Sequence, residues 1–320
     1  MRQSVEAPRL EPAFVVLQIE AAAYRDAPPP LSERPTDADS LERMRREAKR
    51  TLARALARAV PRAALTAPDV FDVWERAGYH ITPVHFYSSI PNTAELREPP
   101  PSTCPGVELN RDAQRQSLEA LAPLFAEGAR HWEDNTYFGL VDSLALYAMV
   151  RRHRPCTVVE IGSGHSTRMI EAALAENAEG TLVTIEPYPE RMSSPPTFAS
   201  EVQEVPLSVF ESLSTNDILF IDSTHVLRFG SDVQYEYLEI LPRLKKGVLV
   251  HIHDVFLPGD YPRWWLTDLH RFWNEQYVLQ AFLAFNHAYE VLWSSQMLAD
   301  EIAVLLPDAP AGGSFWIRRV

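Results

Sequence analysis

The sequence predicts an α/β fold built on a doubly wound, mainly parallel sheet. From Thr157 onward, short apolar runs alternate with segments of helical spacing, as in strands that are joined by crossover helices. Several runs are apolar on both faces, which is typical of strands covered by helices on either side. Acidic residues and histidines stand where four of these runs end. In a doubly wound sheet those ends form the ligand-binding edge.

The predicted elements follow one another in a regular order. The first strand, TVVEIG at 157–162, leads into a helix over 166–177 and a second strand, TLVTIEP at 181–187. The later runs predict helices at 232–244 and near 266–285, and strands at 201–205, 217–222, 246–254, 289–294 and 314–320.

The part of the chain before the sheet has a different character. We expect residues 1–129 to form a helical and irregular cap and residues 130–320 to form the α/β domain. Within the cap, LERMRREAKRTLARALARAV at 41–60 has one apolar and one basic face, which predicts an amphipathic helix that ends before Pro61. A solvated face or a subunit contact explains the basic side chains, and we expect a homo-oligomer that forms through this helix. Binding to an anionic membrane or a nucleic acid is the alternative.

The composition argues against several classes of partner. The 320 residues carry a formal net charge of −13, whereas a general nucleic-acid binder needs a basic surface to contact phosphates. No stretch reaches the roughly 20 apolar residues of a membrane span, and the first residues lack the apolar core of a secretion signal. Of the two cysteines, Cys156 opens an apolar strand and is predicted to be a core thiol. We therefore expect a cytoplasmic protein whose partner is a small molecule, and neither a nucleic acid nor a membrane.

The loop after the first strand, GSG at 162–164, has two glycines and therefore exposes mainly backbone at the ligand-binding edge. A dinucleotide-binding loop has the pattern G-x-G-x-x-G, but Thr167 occupies the third glycine position here. Glu160 stands just before the loop, where a carboxylate would repel a diphosphate and favour a cationic ligand. S-adenosylmethionine (SAM) carries an ammonium, a sulfonium and a ribose diol, and Glu186 at the end of the second strand suits the two ribose hydroxyls. These residues favour SAM over NAD.

Long motifs of this chain resemble one known family. They are HFYSSIPN at 85–92, DNTYFGLVDSLALYAMVRRHRPCTVVEIGSGHSTRMI at 134–170, LVTIEPYP at 182–189 and LFIDSTHVLRFGSDVQYEYLEILPRLKKGVLVHIHDVFLPGDYPRWW at 219–265. Over about residues 80–265 the chain resembles the bacterial class I SAM-dependent methyltransferases of the "methyltransferase domain 24" type. The resemblance implies a Rossmann-like class I methyltransferase domain with a seven-stranded sheet whose last strand is antiparallel. We expect SAM contacts at Glu160, Gly162, Ser163, Gly164, Glu186 and Asp222.

A second cluster of polar residues follows two later strands. Asp222 and His225 come after DILFID, and His253 and Asp254 end KGVLVHIHD. The arrangement is similar to the metal-dependent catechol-type O-methyltransferases, whose Mg²⁺ ligands Asp222 and Asp254 match. We expect a divalent metal ion with all four of these side chains as candidate ligands. His253 departs from the oxygen ligands that Mg²⁺ prefers, so Mn, Fe or Zn is the alternative. Without a metal, His225 or His253, beside Asp222, would act as the general base that takes a proton from an acceptor hydroxyl or amine.

Two further residues near these motifs are unusual. Asp142 lies on an otherwise apolar helix around 139–152, where a buried carboxylate needs a partner, so we expect either a partner in the core or a contact with the site. His251 shares a strand face with His253, and its expected role is a structural hydrogen bond.

The sequence thus predicts a SAM-dependent methyltransferase that moves a methyl group to an oxygen or nitrogen of a small molecule, in specialised metabolism. Two alternatives stay open. One is a metal-dependent enzyme of the same fold with oxidative chemistry. The other is a non-catalytic SAM-binding scaffold that regulates a partner through the 41–60 helix.

Overall fold

The computed structural model of the chain describes residues 37–97, 102–135, 137–189, 195–307 and 309–320. The chain divides into two compact units, one up to Pro61 and one from Arg62 to Val320. Within the first unit lies helix α1 (Asp37–Ala59), so the predicted amphipathic helix is confirmed. The part of the expected cap before Asp37 falls outside the described residues.

The second unit contains ten helices and six strands among its described residues. The helices are α2 (Arg62–Thr66), α3 (Phe71–Arg76), α4 (Arg111–Gly128), α5 (Leu140–His153), α6 (His165–Asn177), α7 (Leu207–Glu211), α8 (Asp232–Tyr235), α9 (Arg263–Thr267), α10 (Glu275–Leu283) and α11 (Ala299–Leu305). The strands are β1 (Thr157–Ile161), β2 (Thr181–Ile185), β3 (Ile218–Ile221), β4 (Leu249–Ile252), β5 (Tyr289–Ser294) and β6 (Phe315–Arg319).

The strands form one sheet in the order β2-β1-β3-β4-β6-β5. The first four strands are parallel, and β6 is antiparallel to both β4 and β5. The predicted doubly wound sheet and its antiparallel last strand are confirmed. Because β1 lies between β2 and β3, the loop after β1 lies at the point where the strand order reverses, which is where such sheets bind ligands.

The described residues form six strands rather than the expected seven. The segment at 201–205 is a short 3₁₀ turn, Val202–Glu204, and Val202 and Val205 are buried in the core. Pro206 follows directly and lacks the N–H that a sheet ladder needs, which explains why the apolar pattern does not extend into a strand. Phe198 instead forms a single parallel bridge to Ile185 beside β2.

Two predicted helices are interrupted in the structure. The helix expected at 232–244 becomes α8, then a π-helical turn over Glu236–Ile240 and a 3₁₀ turn over Leu241–Arg243. The helix expected near 266–285 is split, because α9 ends at Thr267 and α10 begins at Glu275. The N–H groups of Asn274 and Glu275 donate to the carbonyl of His225 at 3.1 and 3.2 Å, so a tertiary contact sets the start of α10.

Two apolar clusters cover the two faces of the sheet. Neighbouring strand residues point to opposite clusters, as Leu219 and Phe220 do on β3. Phe220 packs in the cluster that contains α5 and α6, and Leu219 packs in the cluster that contains Tyr237 and Leu279 of the other side. Burial on both faces explains the near-continuous apolar runs of the parallel strands.

The cysteines differ from the expectation. Cys104 is the buried thiol and Cys156 is exposed, because Cys156 precedes β1 instead of lying within it, so the prediction of a core thiol at Cys156 is wrong. Both cysteines are free. No helix in the described ranges has the length and apolar character needed to cross a membrane.

Candidate active site

The glycine loop is held between the ends of β2 and β3. The N–H of Gly162 donates to the carbonyl of Ile185 at 3.0 Å. Gly162 has a φ of +79°, and a Cβ at this position would lie 1.8 Å from the carbonyl oxygen of Asp222. Only glycine combines that backbone conformation with so close an approach. The loop is therefore fixed at the crevice of the sheet.

Glu160 faces its own loop and helix. Its two carboxylate oxygens accept hydrogen bonds from Ser166 Oγ and Thr167 Oγ1, each at 2.7 Å, and Thr167 Oγ1 in turn accepts from the N–H of Gly164 at 2.9 Å. Burial raises the pKa of Glu160 to about 8, although the two hydroxyl donors lower it. Glu160 thus fixes the start of α6 and presents little charge to the crevice. A direct contact with a cofactor stays a prediction for this residue.

Glu186 brings a half-buried carboxylate to the other side of the loop. Its Oε2 accepts from the N–H of Ser163 at 3.2 Å, and its Oε1 accepts from the N–H of Tyr188 at 2.8 Å. In front of Gly164 the space is open, because a Cβ there would meet no atom within 4 Å. A fixed carboxylate therefore lies beside bare backbone.

His225 is enclosed by carboxylates at the end of β3. Its Nδ1 lies 2.8 Å from Oε2 of Glu275, and its Nε2 lies 3.2 Å from Oδ1 of Asp222 and 3.8 Å from Oδ2 of Asp254. The ring packs on Trp273 with 4.3 Å between centroids. Burial alone would lower the pKa of His225, but Asp222 and Glu275 raise it well above the ordinary value. Because both ring nitrogens face acids, the imidazole is a resident cation of the site.

Asp222 and Asp254 are the carboxylates of this cluster that reach solvent. Their side chains are 30% and 20% exposed. Burial alone would raise the pKa of Asp222, but His253 and His225 lower it below its usual value. Burial raises the pKa of Asp254 despite the same two imidazoles. Asp222 is thus the firmly ionised acid at the mouth of the site.

His253 differs from His225 in having a free ring nitrogen. Its Nε2 lies 3.7 Å from Oδ1 of Asp254, and its Nδ1 has no hydrogen-bond partner within the described residues. The ring is buried against Phe138. Burial lowers the pKa of His253, but Asp254 and Asp222 raise it above the ordinary value overall. Because Nδ1 is enclosed by protein, a proton can be exchanged with the site through Nε2, which no hydrogen bond holds.

Asp142 and His251 are linked through the segment before β6. Ser314 Oγ donates to Oδ1 of Asp142 at 2.7 Å and lies 3.0 Å from Nε2 of His251. The N–H of Gly313 donates to the same carboxylate at 3.0 Å. The structural hydrogen bond expected for His251 is present, and the buried carboxylate of Asp142 has its partner in the core.

The four expected metal ligands come together but do not form a metal site. Across the part of the chain that the structure describes, no group of three or more His, Cys, Asp or Glu side chains is arranged to hold a metal ion. The space between Asp222 and Asp254 contains the ring of His225, whose two nitrogens are already paired. These donors do not fit a divalent metal, because the imidazole occupies the place that the metal would take.

Three residues of the site were missed by the sequence reasoning. Glu275 pairs with His225, Tyr237 donates to Oε1 of Glu275 at 3.1 Å, and buried Glu236 accepts from Ser223 Oγ at 3.1 Å. Burial and the neighbouring Glu275 raise the pKa of Glu236 well above its usual value. The signal available in the sequence was an acid within each of two apolar helical segments, which is costly unless the acid is paired or protonated.

Known proteins were compared with this chain. Residues 159–255 match the profile of the family described as "Methyltransferase domain". An uncharacterized protein of Archaeoglobus fulgidus is 30% identical in an alignment 165 positions long, which covers 42% of this chain and 75% of that protein. Among solved structures, the SAH-bound Podospora anserina methyltransferase PaMTH1 is 18% identical with a TM-score of 0.36, and covers 71% of this chain and 91% of its own. The plantazolicin methyltransferase BpumL in complex with SAH is 13% identical with a TM-score of 0.27, and covers 64% and 98%. The chain belongs to one family with the archaeal protein, and its residues 159–255 match the methyltransferase-domain profile.

Proposed function

We propose that this protein is a SAM-dependent methyltransferase that moves a methyl group to an oxygen or nitrogen of a small molecule. The proposal rests on one observation, which is that two groups of site residues fall within the span matched by the family profile. The matched span 159–255 contains both the glycine loop and the acidic and histidine side chains at the neighbouring strand ends. Function in specialised metabolism and a cytoplasmic location belong to the same proposal.

The cofactor side of the site is formed by the loop and two acids. Glu186 would accept from the ribose hydroxyls, and the bare backbone at Gly164 leaves room for the cofactor. Asp222 supplies negative charge that suits a positively charged ligand. When bound, SAM supplies an electrophilic methyl group on its sulfonium. Because Glu160 is buried and its pKa is raised, the preference for a cationic ligand rests on Glu186 and Asp222.

On the acceptor side we infer that His253 is the general base. Its Nε2 lies 3.7 Å from Oδ1 of Asp254, beyond hydrogen-bond distance, and would take a proton from the acceptor hydroxyl or amine, and Asp254 beside it would stabilise the resulting imidazolium. His225 has both nitrogens engaged and orients Asp222 and Asp254. Positioning of the acceptor supplies the larger part of the acceleration. No step depends on a metal ion.

A scaffold function is the second candidate, and one observation favours it. On α1, Leu52 and Leu56 are 55% and 54% exposed, which leaves an apolar stripe for a partner or a second copy of the chain. In that case the protein would bind SAM and regulate a partner without turnover.

Isothermal titration with SAM, S-adenosylhomocysteine (SAH) and NAD tests the proposal. We expect SAM and SAH to bind, and the variant Glu186→Gln to weaken both by about tenfold or more through the lost charge-assisted bonds. Glu201→Gln, at an exposed acid outside the site, is the matched control and should bind like the wild type. Binding of NAD alone, or of none of the three, would overturn the proposal. SAH binding without turnover of any acceptor in a broad screen would favour the scaffold.

A further inference from the structure

A second cleft lies on the part of the unit that faces away from the glycine loop. It is an open recess of about 540 Å³ between α4, the end of α5 and the strands β5 and β6. Arg318 of β6, which lines this cleft, lies opposite Leu249 at the start of β4, whereas the active-site His253 follows the other end of β4. At about 3.3 Å per residue, the two places are on the order of 10 Å apart along the strand. The volume suits a small molecule.

The wall of the cleft has an excess of positive charge. The guanidinium groups of Arg152 and Arg318 line it, together with one acid, Glu290, and with His153, whose lowered pKa leaves its ring uncharged near pH 7. Glu290 is paired with Arg318. Arg152 has no hydrogen-bond or ion-pair partner among the residues that the structure describes, although it borders this recess. One cationic side chain is therefore available to a ligand.

His153 reports the same charge excess. Burial and the neighbouring charges of Arg152 and Arg318 together lower its pKa to about 4, against a hydrogen bond with Asn216 that raises it. An anion in the cleft would offset the two guanidinium charges and raise the pKa of His153. A measurement of the pKa of His153 would therefore show whether an anion occupies the cleft.

The floor of the cleft is apolar. Leu121 of α4, Met149 of α5 and Val291 of β5 line it with side chains that are almost fully buried. A ligand that paired with the arginine of the wall and packed on the apolar floor would carry a negative group at one end and an apolar chain at the other. Polar groups of α4, Gln116 and Ser117, lie at the rim.

We propose that this cleft is a second binding site, for a small carboxylate that carries an apolar chain. The carboxylate pairs with Arg152, and the chain lies on Leu121, Met149 and Val291. The site is independent of the methyl-transfer chemistry proposed above.

Titration calorimetry with sodium octanoate tests this site. Octanoate should bind the wild-type protein, whereas acetate, which lacks the chain, and octyl glucoside, which lacks the charge, should each bind at least about tenfold more weakly. Arg152→Gln should weaken octanoate binding by about tenfold or more. Lys245→Gln makes the same change of net charge at an exposed position outside the cleft and should have no effect. Ala120→Trp, which fills the cleft from the exposed side of α4, should abolish binding.

The ring resonances of His153, followed by NMR, give a second readout. Octanoate should raise the pKa of His153 by about one unit in the wild type and leave it unchanged in Ala120→Trp. Octanoate binding that is unaffected by Arg152→Gln, or that leaves the pKa of His153 in place, would overturn the proposal, and so would the absence of binding. SAH binding by the same variants should equal that of the wild type, which separates this test from the test of methyl transfer.

Discussion

Nδ1 of His225 lies 2.8 Å from Oε2 of Glu275, and both side chains are buried. The two residues are 50 positions apart in the chain and meet because α10 begins against the carbonyl of His225. The pair places a cation between Asp222 and Asp254 at the mouth of the site. Its integrity should therefore affect both folding and the charge of the site.

Glu275→Gln should destabilise the protein by about 3 kcal/mol, because it leaves a buried imidazolium without the negative charge of Glu275. The pKa of His225 is raised in the folded state, so its contribution is fully present below the unfolded pKa of about 6.5 and is lost as the pH rises through the folded value. Urea unfolding near pH 6 measures the effect. Glu239→Gln, which removes a partly exposed partner of Arg243, is the control and should cost less than about 1 kcal/mol. Equal losses in the two variants would contradict the assignment.

Glu160→Gln should change how stability depends on pH. The folded pKa of Glu160 is about 8, against an ordinary value of 4.5, so the folded state holds this proton more tightly than the unfolded chain. Between those values the wild type loses stability as the pH rises, by at most roughly 1.4 kcal/mol per pH unit from this group. The glutamine variant lacks this loss, so its stability relative to the wild type should increase from about pH 5 to about pH 8. Parallel curves of unfolding free energy against pH would show that Glu160 is ionised.

The two glycines of the loop should respond differently to alanine. Gly162→Ala should destabilise the protein by about 3 kcal/mol or more, because the new Cβ would overlap the carbonyl of Asp222 at a positive φ. Gly164→Ala should change stability by less than about 1 kcal/mol, since its Cβ meets no atom within 4 Å, but it should weaken SAH binding by filling that space. Thermal unfolding and calorimetry measure the two effects. Full SAH affinity in Gly164→Ala would mean that the cofactor lies elsewhere.

His253→Gln should lower kcat by about 10²–10⁴-fold, because it removes the group that takes the acceptor proton. SAH binding should stay near the wild-type value, since His253 itself is not one of the proposed cofactor contacts. The rate of SAH release, with an acceptor found by screening, gives kcat. His287→Gln, at an exposed histidine far along the chain, should be fully active. Activity within threefold of the wild type in His253→Gln would reject the assignment of the base.

Leu52→Asp should convert an oligomer into a monomer if α1 joins copies of the chain. Leu52 lies on the apolar stripe of α1 and is 55% exposed in the single chain. Thr51→Asp adds the same charge at the neighbouring exposed position outside the stripe and should leave the assembly intact. Sedimentation velocity distinguishes the species. A wild-type monomer would remove the oligomer from the proposal and leave α1 for another partner.

Much of the fold could be predicted because strands buried on both faces leave continuous apolar runs. The strand β3 is such a run throughout, whereas β4 contains a histidine, β5 is interrupted by Glu290 and β6 ends in two arginines, yet all six strands coincide with predicted ones. The loop at Gly162 was identified from its two glycines. The strand predicted at 201–205 does not form. Val202 and Val205 are buried without pairing in the sheet, and Pro206 lacks the N–H that a sheet hydrogen bond needs. The interruption of the predicted 266–285 helix before α10 could not be predicted from the spacing of apolar residues, since hydrogen bonds to the carbonyl of His225 determine where α10 begins.

By itself, the sequence determined which segments became strands and which acids and histidines stand at their ends. Both can be read locally, because apolar residues mark each strand and the residue that follows a strand is fixed by chain order. The tertiary structure alone decided the partner of each buried charge. Asp142 met Ser314, and His225 met Glu275 in place of a metal ion. The physical reason is that a buried charge is stabilised by whichever donor the packing of distant elements brings within hydrogen-bond distance, and no spacing within the chain encodes that distance.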